Sequence, residues 1–257
     1  FAETISLDVR TPNQLKNNQS EYEHFKKIDL DLVIVVAYGI IIPKEFLLLS
    51  KEGFVNLHAS ILPKLRGAAP IQRAIINQEK ETGISVMKIN DKLDEGDVSH
   101  IFKININENE NAQSLSERLS LLASEKISDI IDDVLDKNVN FKPQDHSKAT
   151  YAKKIEKTEG LINWNEKAEY IIGKINGLFP FPGGYFIYRG ERYKILKAQK
   201  CFSKEKPGKV LSNELEIGCG ENSIKILEIQ REGKKPQKVN EFMLGSQIKK
   251  GTNLFDV

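Results

Sequence analysis

In Asp31-Leu32-Val33-Ile34-Val35-Val36-Ala37 everything after the aspartate is apolar and rich in β-branched residues, and Phe54-Val55-Asn56-Leu57-His58 follows it after a more polar interval. A strand with one wet face would alternate; an unbroken apolar run reads as a strand buried on both faces. Pro43 opens a helical stretch between the two runs, with Phe46 to Leu49 inside it. Residues 59–67, ASILPKLRG, read as a loop, and Ala68 to Asn77 as a helix that tolerates Pro70 in its first turn. Gly83 to Ile89 and Val98 to Ile106 read as strands joined by the turn-like DKLDEGD. Ala112 to Leu135 is a long amphipathic helix, with Leu115, Leu119, Leu122, Ile127, Ile130, Ile131 and Leu135 on or near one face. Strands alternating with helices over residues 30–136 predict an open, Rossmann-like α/β sheet. Ligands of such sheets bind outside the carboxyl ends of the strands, and Asn56 and His58 lie at one.

Upstream of that core, Glu21–Lys27 reads as a short helix. Downstream, the pattern fades from about 138 to 160. A short helix around Lys167 to Asn176 and a turn cluster, Phe179-Pro180-Phe181-Pro182-Gly183-Gly184, come next. Short strands follow at Tyr185–Tyr188, Tyr193–Gln199, Gly208–Leu211, Leu215–Gly218 and Ser223–Gln230, which suggests a small antiparallel barrel. The expected organisation is a catalytic domain over 1–140, a linker over 141–160 and a second domain over 161–257.

Composition narrows the class. A chain of 257 residues that is 40% hydrophobic has material for a sizeable core. Its two cysteines, Cys201 and Cys219, form no C-x-x-C, so neither a zinc ribbon nor a disulfide scaffold is available and a reducing compartment is expected. The longest apolar run, Leu32 to Ile42, has eleven residues, short of the ~20 that span a bilayer. The net charge of +2 conceals a split: residues 171–257 hold 16 basic against 9 acidic side chains, +7, leaving −5 on the rest. A basic half hints at a polyanionic partner, although a solvated lysine-rich surface gives the same count.

No G-x-x-x-x-G-K-S/T, H-E-x-x-H or G-x-S-x-G occurs, which removes a phosphate-cradling loop, a zincin site and a nucleophile elbow at the motif level. What remains is Asn56-x-His58-x-Ser60-Ile61-Leu62-Pro63, with Asp94 in Leu93-Asp94-Glu95-Gly96-Asp97 thirty-six residues after the histidine. Residues i and i+2 of a strand point to the same side, so Asn56 and His58 can converge. A carboxamide N–H can stabilise an oxyanion, an imidazole can take a proton from an attacking amine, and a carboxylate can hold that imidazole's tautomer and charge. With no serine or cysteine nucleophile required, this trio suits direct acyl transfer to an amine.

The run from Val55 through Arg66-Gly67-Ala68-Ala69-Pro70-Ile71-Gln72-Arg73-Ala74 resembles the signature segment of the methionyl-tRNA formyltransferase family. Glu81-Thr82-Gly83, Leu93–Asp97, Thr150-Tyr151-Ala152, Ile162-Asn163-Trp164 and the Phe179–Pro182 cluster keep register with it, from about Asp31 to the end. The resemblance implies formyl transfer from 10-formyltetrahydrofolate to the α-amine of methionyl initiator tRNA, without a metal. Asn56 would bind the tetrahedral oxyanion, His58 would move the proton and Asp94 would support His58. Ser60, Ile61, Leu62 and Pro63 match the folate-binding segment, and Ile40, Ile41 and Ile42 would wall the pterin. The second domain would be an OB-like β-barrel that grips tRNA, with Lys194, Lys197, Lys234, Lys235 and Lys238 as candidate phosphate contacts and Arg66 of the first domain as a further one. Trp164, Phe179, Phe181, Tyr185 and Phe186 are expected in the core, and His24, His100 and His146 outside any catalytic motif.

Family members carry a strand, a helix and a second strand ahead of the position of Phe1, so the sequence is read as incomplete, with an unpaired apolar edge on the Asp31 strand. The intact protein is expected to be monomeric, off the membrane, and located in the bacterial cytoplasm or an organellar matrix. Two rivals stand beside this reading. One is another folate-dependent transfer, to glycinamide ribonucleotide, a sugar nucleotide or water; the other is a catalytically silent RNA-binding relative.

Overall fold

The computed structural model describes residues 1–255; Asp256 and Val257, the last two of the expected second domain, lie outside the described residues. The chain divides into two compact units. One comprises Phe1–Arg66, Ile84–Phe102 and Ala123–Thr150; the other comprises Gly67–Gly83, Lys103–Leu122 and the chain from Tyr151 onward.

In chain order the first elements are α1 (Gln19–Ile28), β1 (Val33–Val35), α2 (Lys44–Leu47), β2 (Phe54–His58), α3 (Pro70–Ile76), β3 (Glu81–Lys88), β4 (Val98–Asn105) and α4 (Ala112–Leu135). α1 begins where the Asn18 side chain accepts from the Glu21 amide at 3.2 Å and ends at Asp29 in a left-handed conformation. The strands form an open sheet of order β1-β2-β3-β4, with β1 parallel to β2 and β2 antiparallel to β3. β2 is buried along both faces except at Asn56, as an unbroken apolar run requires. β1 stands at the sheet edge, as expected, but its three residues are only half-buried where burial on both faces was expected. Leu15, Phe46 and Phe54 form a small core beside it, with Tyr22 and Phe25 edge-on to Phe46 at 5.6 and 5.4 Å.

The later elements are α5 (Ala168–Gly177), β5 (Gly184–Tyr188), β6 (Glu191–Cys201), β7 (Glu216–Gly218), β8 (Ser223–Arg231), β9 (Gln237–Lys238) and α6 (Val239–Gly245). Their sheet runs β5-β6-β8-β7 with β9 on β8, all antiparallel, and is open rather than closed into a barrel. The strand expected at Gly208–Leu211 is reduced to isolated bridges at Lys209 and Val210. Trp164, Phe186, Tyr193 and Phe242 form a ring ladder through this core with centroid spacings of 5.7, 5.3 and 5.8 Å. Phe181, expected inside, is 69% exposed. α5 turns Ile171 and Ile175 into that core and presents Gly173 and Gly177 to α3. Any side chain there would collide, since a Cβ on Gly173 would lie 2.9 Å from the Ile76 carbonyl and one on Gly177 2.8 Å from that of Gln72.

Candidate active site

β2 delivers Asn56 and His58 to the same side of the sheet, with Val35 of β1 beside Asn56 and Ser85 of β3 beside His58. His58 is 6% exposed. Its Nε2 lies 2.9 Å from the Leu65 carbonyl oxygen and its Nδ1 3.7 Å from Asp94 Oδ2. A carbonyl only accepts, so Nε2 carries the hydrogen of that contact. The Asp94 separation is that of an ion pair, longer than a hydrogen bond. With its hydrogen on Nε2, the ring leaves Nδ1, on the Asp94 side, as the nitrogen that can take up a proton, and the Asp94 carboxylate is placed to balance the charge that uptake creates. Of the three expected catalytic residues, His58 and Asp94 are thus in direct electrostatic contact, and Asn56 shares the face that carries the ring.

Two loops hold the partners of this ring in unusual backbone conformations: Leu65 at φ +58° and Asp94 at φ +50°. Asp94 is a residue type that tolerates the left-handed region; a leucine does so at a cost. Each loop is pinned by side chains that come from outside the motif. The Gln144 carboxamide donates to the carbonyls of Asp94 and Gly96 at 2.9 and 2.7 Å. Its oxygen accepts from Arg66 Nε and Nη2 at 3.1 and 2.8 Å. Arg66 Nη1 reaches Glu95 Oε1 at 3.3 Å, and Nη2 lies 3.2 Å from His146 Nδ1. The amides of Leu65 and Arg66 donate to Oγ1 and O of Thr150, both at 2.9 Å. Asp145 caps the single turn His146–Lys148, its carboxyl held down at about 2 by the Ser147 hydroxyl, then by Lys148. Reading along the chain missed Gln144, Glu95, Leu65 and Thr150 as site residues. Gln144 lies 50 residues from Asp94 in a stretch without apolar period, and no local spacing marks it.

The expected folate segment divides in two. Ser60 is fully buried and its hydroxyl donates to the Lys64 carbonyl at 2.6 Å; Leu62 is buried and its amide donates to Ser85 Oγ at 3.0 Å. These two shape the loop from within, while Ile61 and Pro63 are half-exposed. Just past the carboxyl end of β1, Val36, Tyr38 and Ile41 are 55%, 43% and 88% exposed. Ile40 is half-buried, and Ile42 packs against the Phe46 cluster, so that side chain belongs to the core.

The expected tRNA contacts also divide. Arg66 is corrected: at 1% exposure, with its guanidinium spent on Gln144 and Glu95, it braces two loops and presents nothing to a phosphate. Lys194 is half-buried, donates to the Pro180 carbonyl at 2.6 Å, and is pushed below the usual lysine value by desolvation and then by Arg192. Lys197, Lys234, Lys235 and Lys238 are exposed on or beside the second sheet. Among the described residues no group of three His, Cys, Asp or Glu side chains is placed to hold a metal ion, and no helix is long and apolar enough to cross a membrane.

Comparison with known proteins places this geometry in a family context. Residues 2–131 match the formyl transferase family model, and residues 154–247 match the model of the formyl transferase C-terminal domain. A methionyl-tRNA formyltransferase of Pelagibacter ubique is 60% identical over 257 residues, covering all of this chain and 83% of that protein. One of Caldanaerobacter subterraneus is 42% identical, covering 96% of this chain and 82% of its own length. Among solved structures, HypX from Aquifex aeolicus in complex with tetrahydrofolic acid superposes with a TM-score of 0.69 at 17% identity, over 93% of this chain and 43% of that one. The methionyl-tRNA formyltransferase from Clostridium thermocellum superposes with a TM-score of 0.56 at 24% identity, over 72% and 84%.

Proposed function

This chain belongs to the formyl transferase family, and from that premise we propose that it carries the formyl group of 10-formyltetrahydrofolate to the amino group of methionyl initiator tRNA, a step of translation initiation. The observation that carries the reading is the buried His58 ring, flanked by Asp94 on a strand that also bears Asn56, in a chain 60% identical to such an enzyme along its whole length.

The chemistry follows from those groups. The methionyl amine attacks the formyl carbon, forming a C–N bond and pushing charge onto the formyl oxygen. The Asn56 carboxamide is the donor for that oxyanion. The proton leaving the amine passes to His58, and the C–N10 bond of the folate breaks as the same proton is delivered to N10. Asp94 balances the charge the ring carries in between. Asn56, His58 and Asp94 are the proposed catalytic set. For the folate, the exposed apolar residues after β1 support a pterin wall, with Ile41 the most open of the three isoleucines and Ile42 turned into the core. Ile61 and Pro63 offer their edges, and Ser60 and Leu62 fix the loop that presents them.

The second sheet is proposed as an OB-like tRNA-binding module. Its support is the +7 charge of residues 171–257, the bulged β6 and the exposed Lys197, Lys234, Lys235 and Lys238. Bacterial relatives support a cytoplasmic setting, and the protein is read as a monomer.

The test is formyl transfer with 10-formyltetrahydrofolate and methionyl initiator tRNA, run beside glycinamide ribonucleotide, a sugar nucleotide and a no-acceptor control. Turnover on the charged tRNA alone is expected. Asn56→Ala should lower kcat roughly 100- to 1,000-fold, and His58→Ala by about 100-fold or more. Turnover on a small amine or on water would replace the acceptor. A folded protein that binds tRNA and transfers nothing would replace the function with RNA binding.

A further inference from the structure

Every hydrogen-bonding position of the Gln144 carboxamide is engaged: two N–H donors on the Asp94 and Gly96 carbonyls, and the oxygen on two nitrogens of Arg66. At 8% exposure it is a buried polar group with a complete set of partners. The carbonyls it grips lie two residues apart, one of them Asp94's own. Gly96 completes the turn in close contact with β3, where a Cβ would fall 1.7 Å from the Lys88 carbonyl. Six residues after Gln144, Thr150 grips the amides of Leu65 and Arg66. One short segment therefore holds both loops whose oxygens flank the His58 ring, Leu65 on Nε2 and Asp94 on Nδ1.

Resting on the formyl-transfer reading above, we propose that Gln144 is a positioning residue of the reaction, which sets the Asp94 carboxylate against His58 through the Asp94 and Gly96 carbonyls. It touches no substrate. Its loss lets the Asp94 turn relax out of its left-handed conformation, and the carboxylate leaves the ring. The two ends of the carboxamide are not interchangeable. Gln144→Glu replaces two donors with an oxygen facing two carbonyl oxygens, while keeping an acceptor for Arg66. Gln144→Asn keeps the chemistry with a shorter reach.

Steady-state formyl transfer by the whole chain tests this, with Gln144→Glu, Gln144→Asn and Asp94→Asn made singly and the first two also made on Asp94→Asn. In each single variant of Gln144, kcat should drop by roughly 100-fold, while KM for 10-formyltetrahydrofolate and for methionyl initiator tRNA stays within a few-fold of the unmodified chain. On the Asp94→Asn background the same changes should cost little, because the group they position is already gone. Variants that melt like the parent and keep its kcat overturn the proposal. So do losses that are equally large with and without Asp94→Asn, or failure of both Gln144 variants to fold; each would make Gln144 a purely structural residue. If the unmodified chain transfers no formyl group, it is the function reading that has failed.

Discussion

Gly96 concentrates the constraints on the site into one position. Its φ is ordinary, and what excludes a side chain is space: the Lys88 carbonyl, 1.7 Å from where a Cβ would sit, is backbone and cannot swing aside. Gly96→Ala should destabilise the fold by about 3 kcal/mol, within the range seen for overpacking. The surviving folded fraction should transfer formyl groups poorly, because Asp94 lies two residues upstream. A thermal melt together with kcat measures both, and a variant with native melting and native kcat would show that the turn is looser than its contacts imply. The Asn56–His58 pair was legible because strand geometry makes an i, i+2 pair converge whatever the fold around it. Asp94 stood out as a carboxylate on a turn after the histidine, and the family pattern then tied it to His58. Gln144 was not legible at all, since a contact that spans 50 residues leaves no period in the chain.

α3 and α5 meet through glycines, and the end of α3 is fastened by an arginine. Arg73 Nη1 and Nη2 pair with Glu159 Oε2 and Oε1 at 2.6 and 2.9 Å, and Nε donates to the Lys153 carbonyl at 3.1 Å. The Glu159 carboxyl is held below its ordinary 4.5 by the Arg73 guanidinium, against the opposing pull of burial. A carboxyl lowered by folding contributes stability that is present above its unfolded value and is lost as pH falls through the folded one. Glu159→Gln should therefore lower the melting temperature at pH 7, by the equivalent of about 1 kcal/mol for a partly exposed pair. The gap to the parent should close below pH 4.5. A pH-independent gap would mean that the pair acts by packing alone. Helices were readable in the sequence from Pro70 at the first turn of α3 and from the apolar spacing of α4. The half-burial of β1 and the open second sheet were not, because an apolar run reports burial somewhere without naming the neighbour that supplies it.

For the molecule as a whole the quantity to follow is charge. A net +7 over residues 171–257 should show as salt-dependent tRNA affinity, each phosphate contact adding about 0.7 to 0.9 to the slope of log K against log salt. Replacing Lys234, Lys235 and Lys238 with glutamine should reduce that slope by about 2 if all three touch phosphates, and leave kcat at saturating tRNA unchanged. An unaltered slope would remove this edge of the sheet from the interface. Composition made the basic C-terminal stretch visible from the outset, whereas Arg66, named through the family pattern, is buried, because a motif position does not report which way an arginine turns. The clasp at Gln144 and Thr150 carries a lesson for recombination between relatives. Its residues lie in the stretch expected as a linker, so a chimera spliced at its fading start near residue 138 would exchange the groups that hold the two loops around His58 along with the second sheet. A hybrid keeps both loops of its own histidine when the crossover falls after Thr150, and keeps α3 seated when the incoming module offers the glycine face that α5 provides.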